Sequence, residues 1–188
     1  MIKVIYFDFF NVLCNPPLSP IIERIIPNAE QQKHIDRLDD LDLGNISLEN
    51  FVIELSIGSG IPVEQITDEM DSAPKLNMDL LEFIKNKLKG HYRVGLFTNA
   101  INTTIYKILG DNINTFDIKL ISSEVKLIKP NKKIFELAVA LAEVNPEEIL
   151  FIDDSKKNID AAKEMGIQTI HYKYFEDFKT QIDAILNF

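Results

Sequence analysis

Cysteine occurs once, at Cys14, so no intrachain disulfide can form and nothing points to secretion. Positive charge is scarce as well. Against 29 Asp and Glu the chain sets 20 Lys and Arg, for a net charge of −9, and no basic run offsets it. A surface of that sign repels nucleic acid and anionic membrane, so neither is an expected partner, and a phosphorylated ligand has to be met by positive charge gathered locally. No stretch reaches membrane-spanning length, and the amino terminus has no basic segment leading into a long apolar run. The expectation is a reduced, cytoplasmic protein. His34, His91 and His171 stand apart and form no ligand set, and the chain has neither an internal repeat nor a low-complexity segment.

What is present suffices for one good core. At 188 residues and 46% apolar, the chain can build a domain with an inserted subdomain, but not two full-sized independent domains. Its organising stretch is Val4-Ile5-Tyr6-Phe7-Asp8-Phe9-Phe10, in which six of seven residues are β-branched or aromatic. That composition reads as a strand buried on both faces, as in parallel sheets. Asp8 is the exception, because a bare carboxylate in an apolar interior is too costly to leave unpaired. Asn11, Pro16, Pro17 and Pro20 end the run, which puts Asp8 at the carboxyl edge of its sheet, where open α/β folds place ligands. Taken alone, Asp8 reads more readily as a turn cap.

From Ile21 to about Ser72 the pattern is helical only. Ile21, Ile22, Ile25 and Ile26 form one apolar stripe, and Ile35, Leu38, Leu41 and Leu43 a second. Gly44 stops that helix, Ser47 caps the next, and Pro62 suits the first turn of a fourth. After Pro74 helices and strands alternate. Strands are predicted at about 92–97, 118–121, 149–152 and 168–172, with helices between them and at 175–186. The expected architecture is α/β, a three-layer Rossmann-like parallel sheet with helices on both faces, formed by residues 1–14 and 75–188. Residues 15–74 form an inserted helical bundle cap.

Three apolar strands end in polar groups: Asp8, then Thr98-Asn99, then Asp153-Asp154. In a parallel sheet these ends share one edge. Lys129, ahead of Pro130 at a helix entrance, can bring an ammonium group there. Crowded carboxylates repel one another unless a cation offsets them, and hard oxygen ligands without clustered His or Cys favour Mg2+ over zinc. Singly, Thr98 and Asn99 read as turn formers and Lys129 as a solvated side chain.

In order and spacing, Asp8 after its strand, Leu96-Phe97-Thr98-Asn99, Ser122-Ser123-Glu124-Val125 leading to Lys129-Pro130, and Ile149 to Ser155 followed by Asn158 resemble the four motifs of the haloacid dehalogenase-like (HAD) hydrolase superfamily. The resemblance runs the length of the chain and includes a helical cap between the first two motifs. It implies a Mg2+-dependent hydrolase, with variants among sugar-phosphate phosphatases and haloacid dehalogenases as the nearest in type. Asp8 would be the nucleophile, forming an aspartyl-phosphate. Thr98 and the backbone N–H of Asn99 would hold the phosphoryl oxygens, and Lys129 would neutralise nucleophile and phosphate together. Mg2+ would bridge Asp8, the Phe10 backbone carbonyl and Asp154, with Asp153 and Asn158 acting through water.

One position departs from that pattern. Superfamily phosphatases usually carry a second aspartate two residues after the nucleophile, to protonate the leaving oxygen and then activate water. Here it is Phe10, and the glycine that usually follows is Asn11. Haloacid dehalogenases also place an aromatic residue there, but they need no metal and are not expected to keep the Asp153-Asp154 pair. The resemblance therefore implies a phosphatase of a small phosphorylated metabolite, with a non-catalytic binding protein and a dehalogenase as alternatives. The cap would hinge near Cys14 to Pro20 and near Pro74. Arg24, Lys33, His34 and Arg37 read as its solvated face, and Cys14 as a small hinge-packing residue. Monomer and homodimer are equally compatible with the sequence.

Overall fold

The strand expected through Phe10 stops earlier: β1 spans Val4–Phe7, every residue of it buried. The computed structural model describes residues 1–16 and 18–186, so Pro17, read as part of the proline turn, lies outside the described residues. Along β1 the side chains alternate, as the pleat requires. Ile5 and Phe7 enter one apolar layer while Val4 and Tyr6 enter the other. Beyond Asp8 the backbone turns back on itself, and the N–H groups of Leu13 and Cys14 both donate to the Phe9 carbonyl at 2.8 and 2.9 Å. Asn11 takes φ +60° in that turn. Asparagine is among the few residues other than glycine that tolerate it, so it can stand where the resemblance expects glycine.

The cap follows as α1 (Ser19–Ile25), α2 (Asn28–Asp42), α3 (Leu48–Ser59) and α4 (Val63–Ser72). Both apolar stripes turn inward to a shared cluster that includes Ile21, Ile22, Leu41, Phe51, Leu55 and Ile66. The Ser47 hydroxyl caps α3 as expected, accepting from the Asn50 N–H at 3.1 Å. His34 departs from the solvated reading. It is buried, and its Nδ1 has no hydrogen-bond partner among the described residues. Arg24 pairs with Glu69, Arg37 with Glu54 and Asp40, and Lys33 is exposed.

The core resumes with α5 (Met78–Phe83), capped by Asn77 and continued by a π-helical turn at Ile84–Leu88. Then come β2 (Arg93–Thr98), α6 (Asn102–Leu109), β3 (Ile118–Ile121), α7 (Ser122–Val125), α8 (Lys132–Ala142), β4 (Ile149–Asp153), α9 (Lys156–Glu164), β5 (Gln168–His171) and α10 (Phe175–Leu186). Among the described residues the sheet has five strands, all parallel, ordered β3-β2-β1-β4-β5. Residues of α5, α6 and α10 pack on one face and those of α8 and α9 on the other, which is the expected α/β architecture. Gly95 of β2 lies in register with Tyr6, where a Cβ would come within 2.3 Å of the tyrosine ring. Only glycine fits there, and the ring is held by its hydroxyl donating to the Ala138 carbonyl at 2.9 Å.

Where cap meets core, the two connecting segments are stitched together. Cys14 pairs with Leu76, and the Asn15 side chain accepts from the Lys75 N–H and donates to the Ala73 carbonyl. Cys14 is buried, and burial pushes its thiol up to about 11, so it is a packing residue with little thiolate near neutral pH. No helix among the described residues is long and apolar enough to cross a membrane.

Candidate active site

Because β1, β2 and β4 are adjacent and parallel, their carboxyl ends open on one edge. Asp8 follows β1, Thr98 ends β2, and Asp153 ends β4 with Asp154 next. Asp8, Asp153 and Asp154 each offer a carboxylate oxygen, all within 4.8 Å of one another. The edge thus gathers negative charge that local residues must offset.

Lys129 supplies the opposite charge, at the edge to which the sequence reading brought it, and not as the solvated side chain it reads as when taken singly. With its side chain only 1% exposed, its Nζ lies 2.9 Å from Asp8 Oδ1 and 2.7 Å from Asp153 Oδ2 and donates to the Phe97 carbonyl at 2.9 Å. All three ammonium protons are therefore used. The Phe97 and Phe151 rings lie about the same group, with centroids at 5.1 and 5.2 Å. Burial alone would discharge this lysine, but the charges of Asp8 and Asp153 outweigh it and hold its pKa above the ordinary lysine value. Its backbone is gripped by Asn99, whose Oδ1 accepts from the Lys129 N–H at 2.8 Å and whose Nδ2 donates to the Lys129 carbonyl at 2.9 Å. The Asn99 side chain is thus committed to placing the lysine.

Asp153 is fully occupied. Oδ1 accepts from the Ser155 N–H at 2.8 Å and from Asn158 Nδ2 at 3.0 Å, and Oδ2 accepts from Lys129 and from Asn158 at 3.1 Å. Asn158 spends its amide on Asp153. Asp154 Oδ2 accepts from Asn11 Nδ2 at 2.9 Å, a contact the positive φ of Asn11 permits, and the Asp154 carbonyl pairs with His171 Nε2 at 2.8 Å.

The charge balance is short on the positive side. Burial pushes Asp8 up to about 7, with Asp153 adding to the effect and Lys129 opposing it. Burial, then the charge of Asp153, likewise raises Asp154. Hard oxygen donors around an excess of negative charge fit a divalent cation such as Mg2+. The Phe10 carbonyl accepts no hydrogen bond from the described residues and is free to join such a set. The Thr98 hydroxyl, fully buried beside them, has no partner within the described residues. An orphaned buried hydroxyl is rare, and this one is free to bond an oxygen from outside the described residues.

Phe10 packs edge-on against Phe9, with centroids 5.0 Å apart, and lines a cavity between core and cap. Sequence reasoning gave three residues at this junction no role. Asp42, at the end of α2, lines the same cavity. Ser122 and Lys126 reach across from α7 and the residue after it to the carbonyls of Asp42, Leu43 and Gly44. Ser122 and Lys126 sit in or beside the third motif stretch, but a role in holding the cap has no periodicity to reveal it.

This sheet, this edge and this inserted cap define a hydrolase of the HAD class, and the chain belongs to the haloacid dehalogenase-like hydrolases, whose family model matches residues 2–166. A curated relative, the D-ribitol-5-phosphate phosphatase of Bacteroides thetaiotaomicron, is 25% identical over the full length of both chains. A predicted HAD-like family hydrolase from Porphyromonas gingivalis superposes with a TM-score of 0.79 at 27% identity, covering 100% of this chain and 99% of the other. A HAD family enzyme from Bacteroides thetaiotaomicron, solved in complex with magnesium and inorganic phosphate, superposes with a TM-score of 0.76 at 26% identity, covering 92% and 95%.

Proposed function

We propose that the protein is a Mg2+-dependent phosphatase of a small phosphorylated metabolite, of the polyol- or sugar-phosphate kind, acting through an aspartyl-phosphate on Asp8. The observation that carries this reading is the Thr98 hydroxyl, buried and without a partner among the described residues at the sheet edge that gathers Asp8 and Lys129. It supplies a hydrogen bond for a phosphoryl oxygen at the point where Lys129 supplies charge. The ribitol phosphate phosphatase relative and the magnesium and phosphate bound in the similar structure support the same chemistry.

Asp8 Oδ attacks phosphorus, and the bond from phosphorus to the substrate oxygen breaks, its electron pair leaving with that oxygen. Thr98 and the Asn99 N–H hold the phosphoryl oxygens, while Lys129 favours the ionised form of Asp8 and offsets the charge on the group being transferred. Water then attacks phosphorus, and the bond to Asp8 breaks to release phosphate. Asp8, Asp154 and the Phe10 carbonyl would hold Mg2+, with Asn158 contributing through water and Asp153, expected to act through water, instead fixing Lys129. When bound, the cation neutralises the carboxylates and the phosphoryl group.

The test is phosphate release from a panel of polyol and sugar phosphates, ribitol 5-phosphate among them, with Mg2+ and with chelator. Turnover that needs Mg2+ and vanishes in Asp8→Asn is the expected result. Metal binding without turnover on any member would make the chain a binding protein, and halide release from 2-haloacids without metal would make it a dehalogenase.

A further inference from the structure

When phosphate is taken from an alcohol, the leaving oxygen needs a proton, and the core offers none at Phe10. Over Phe10 lies a cavity of about 90 Å³, walled by Ile101 from the core and by Leu38, Leu41 and Met70 from the cap. Among the described residues lining it, only Asp42 is ionisable. Its backbone is fixed to the core next to the phosphate side of the site. The Ser122 hydroxyl donates to the Asp42 carbonyl at 2.6 Å while accepting from the Ala100 N–H at 2.9 Å. Lys126 Nζ donates to the next two carbonyls, of Leu43 and Gly44, at 2.9 and 2.7 Å. Its carboxylate, by contrast, receives no hydrogen bond from the described residues. Two core residues hold the Asp42 backbone and leave its side chain uncommitted.

We propose that Asp42, carried to the site by the cap, is the general acid and base of the reaction, the role that Phe10 cannot fill. This rests on the phosphatase reading. The Asp42 carboxyl gives its proton to the substrate oxygen as the bond to phosphorus breaks, so the alcohol departs neutral. The resulting carboxylate takes a proton from the water that attacks the aspartyl-phosphate, which restores Asp42 and releases phosphate and Asp8. The surroundings suit a group that must both give and take a proton. Burial, then the charges of Asp39 and Asp8, disfavour its ionised form and Lys129 opposes them, holding it at about 7. The negative end of α2 acts in the same sense as burial, and the Lys126 ammonium is spent on carbonyls. Because Asp42 arrives with the cap, the site is complete only when the cap is closed.

The experiment compares the full-length wild type with Asp42→Asn and Asp42→Glu on p-nitrophenyl phosphate and on whichever alkyl phosphate of the panel turns over fastest. The nitrophenolate leaves without a proton. In Asp42→Asn, kcat on the alkyl ester should fall on the order of 10²–10⁴-fold. On the aryl ester a burst of nitrophenolate, equal to the enzyme present, should precede a slow phase as phosphorylated Asp8 accumulates. Asp42→Glu should recover part of the alkyl rate. A wild-type rate for Asp42→Asn on the alkyl ester, or equal losses on both esters without a burst, overturns the assignment and leaves Asp8 as nucleophile. No Mg2+-dependent phosphate release by the wild type on either ester overturns the phosphatase reading itself.

Discussion

Mg2+ should raise the melting temperature of this protein, by an amount set by the charges at the sheet edge. Asp8, Asp153 and Asp154 bring oxygens within 4.8 Å of one another with the single ammonium of Lys129 among them. At that separation each pair of ionised carboxylates repels by about 3.5 kcal/mol at an effective dielectric constant near 20. Burial and this repulsion are why Asp8 stands at about 7 and Asp154 above its ordinary range. Both pKa values lie above those of the unfolded chain. In metal-free protein the stability these groups contribute is therefore complete below the ordinary carboxylate range and is lost as pH rises through about 7. A cation bound to the ionised forms restores what is lost over that window. At about 100 times its Kd it adds about 2.7 kcal/mol, or roughly 5–11 °C for a chain of this size. The assay is thermal unfolding in chelator and in Mg2+ at pH 5 and pH 8, with the larger gain expected at pH 8 and little or none in Asp154→Asn. Identical melting in chelator and saturating Mg2+ at pH 8, or an undiminished gain in Asp154→Asn, would refute the reasoning.

Replacing Lys129 with Met strands two buried carboxylates, so urea unfolding in chelator should show a loss of about 3–5 kcal/mol, and turnover should disappear. A loss below about 1 kcal/mol would mean that Asp8 and Asp153 do not depend on the lysine. Thr98→Val should behave oppositely in stability and function. The hydroxyl has no partner within the described residues, so the isostere should leave folding unchanged or raise it by about 1–3 kcal/mol, while KM for the phosphate ester rises. If the valine variant unfolds more easily, the hydroxyl is part of the fold and not reserved for substrate.

The elements that were legible in sequence are those whose physics is local. The apolar run that starts at Val4, the helical stripes through Ile22 and Leu41, and the Ser47 cap all depend on neighbours a few residues away. The structure has each of them, with the strand ending early, at Phe7. The four motifs gave the family for a related reason, since three of them are strand ends whose polar residue breaks an apolar run. Where the readings went astray, the deciding contact was distant. His34 looks solvated in its own stretch but is buried, its ring lying close to Gly58 of α3. The π-helical turn at Ile84–Leu88 has no local signature either.

By itself, the sequence determined the parallel sheet, the inserted helical bundle, the family and the residue types available for chemistry, because periodicity and strand-end polarity are written in short stretches. Only the tertiary structure decided that Asn99 grips Lys129, that Asn11 reaches Asp154, and that Ser122 and Lys126 bring the end of α2 over Phe10. Those meetings join segments tens of residues apart. Strand order and cap docking fix which distant groups become neighbours, and no pattern within a stretch records that choice.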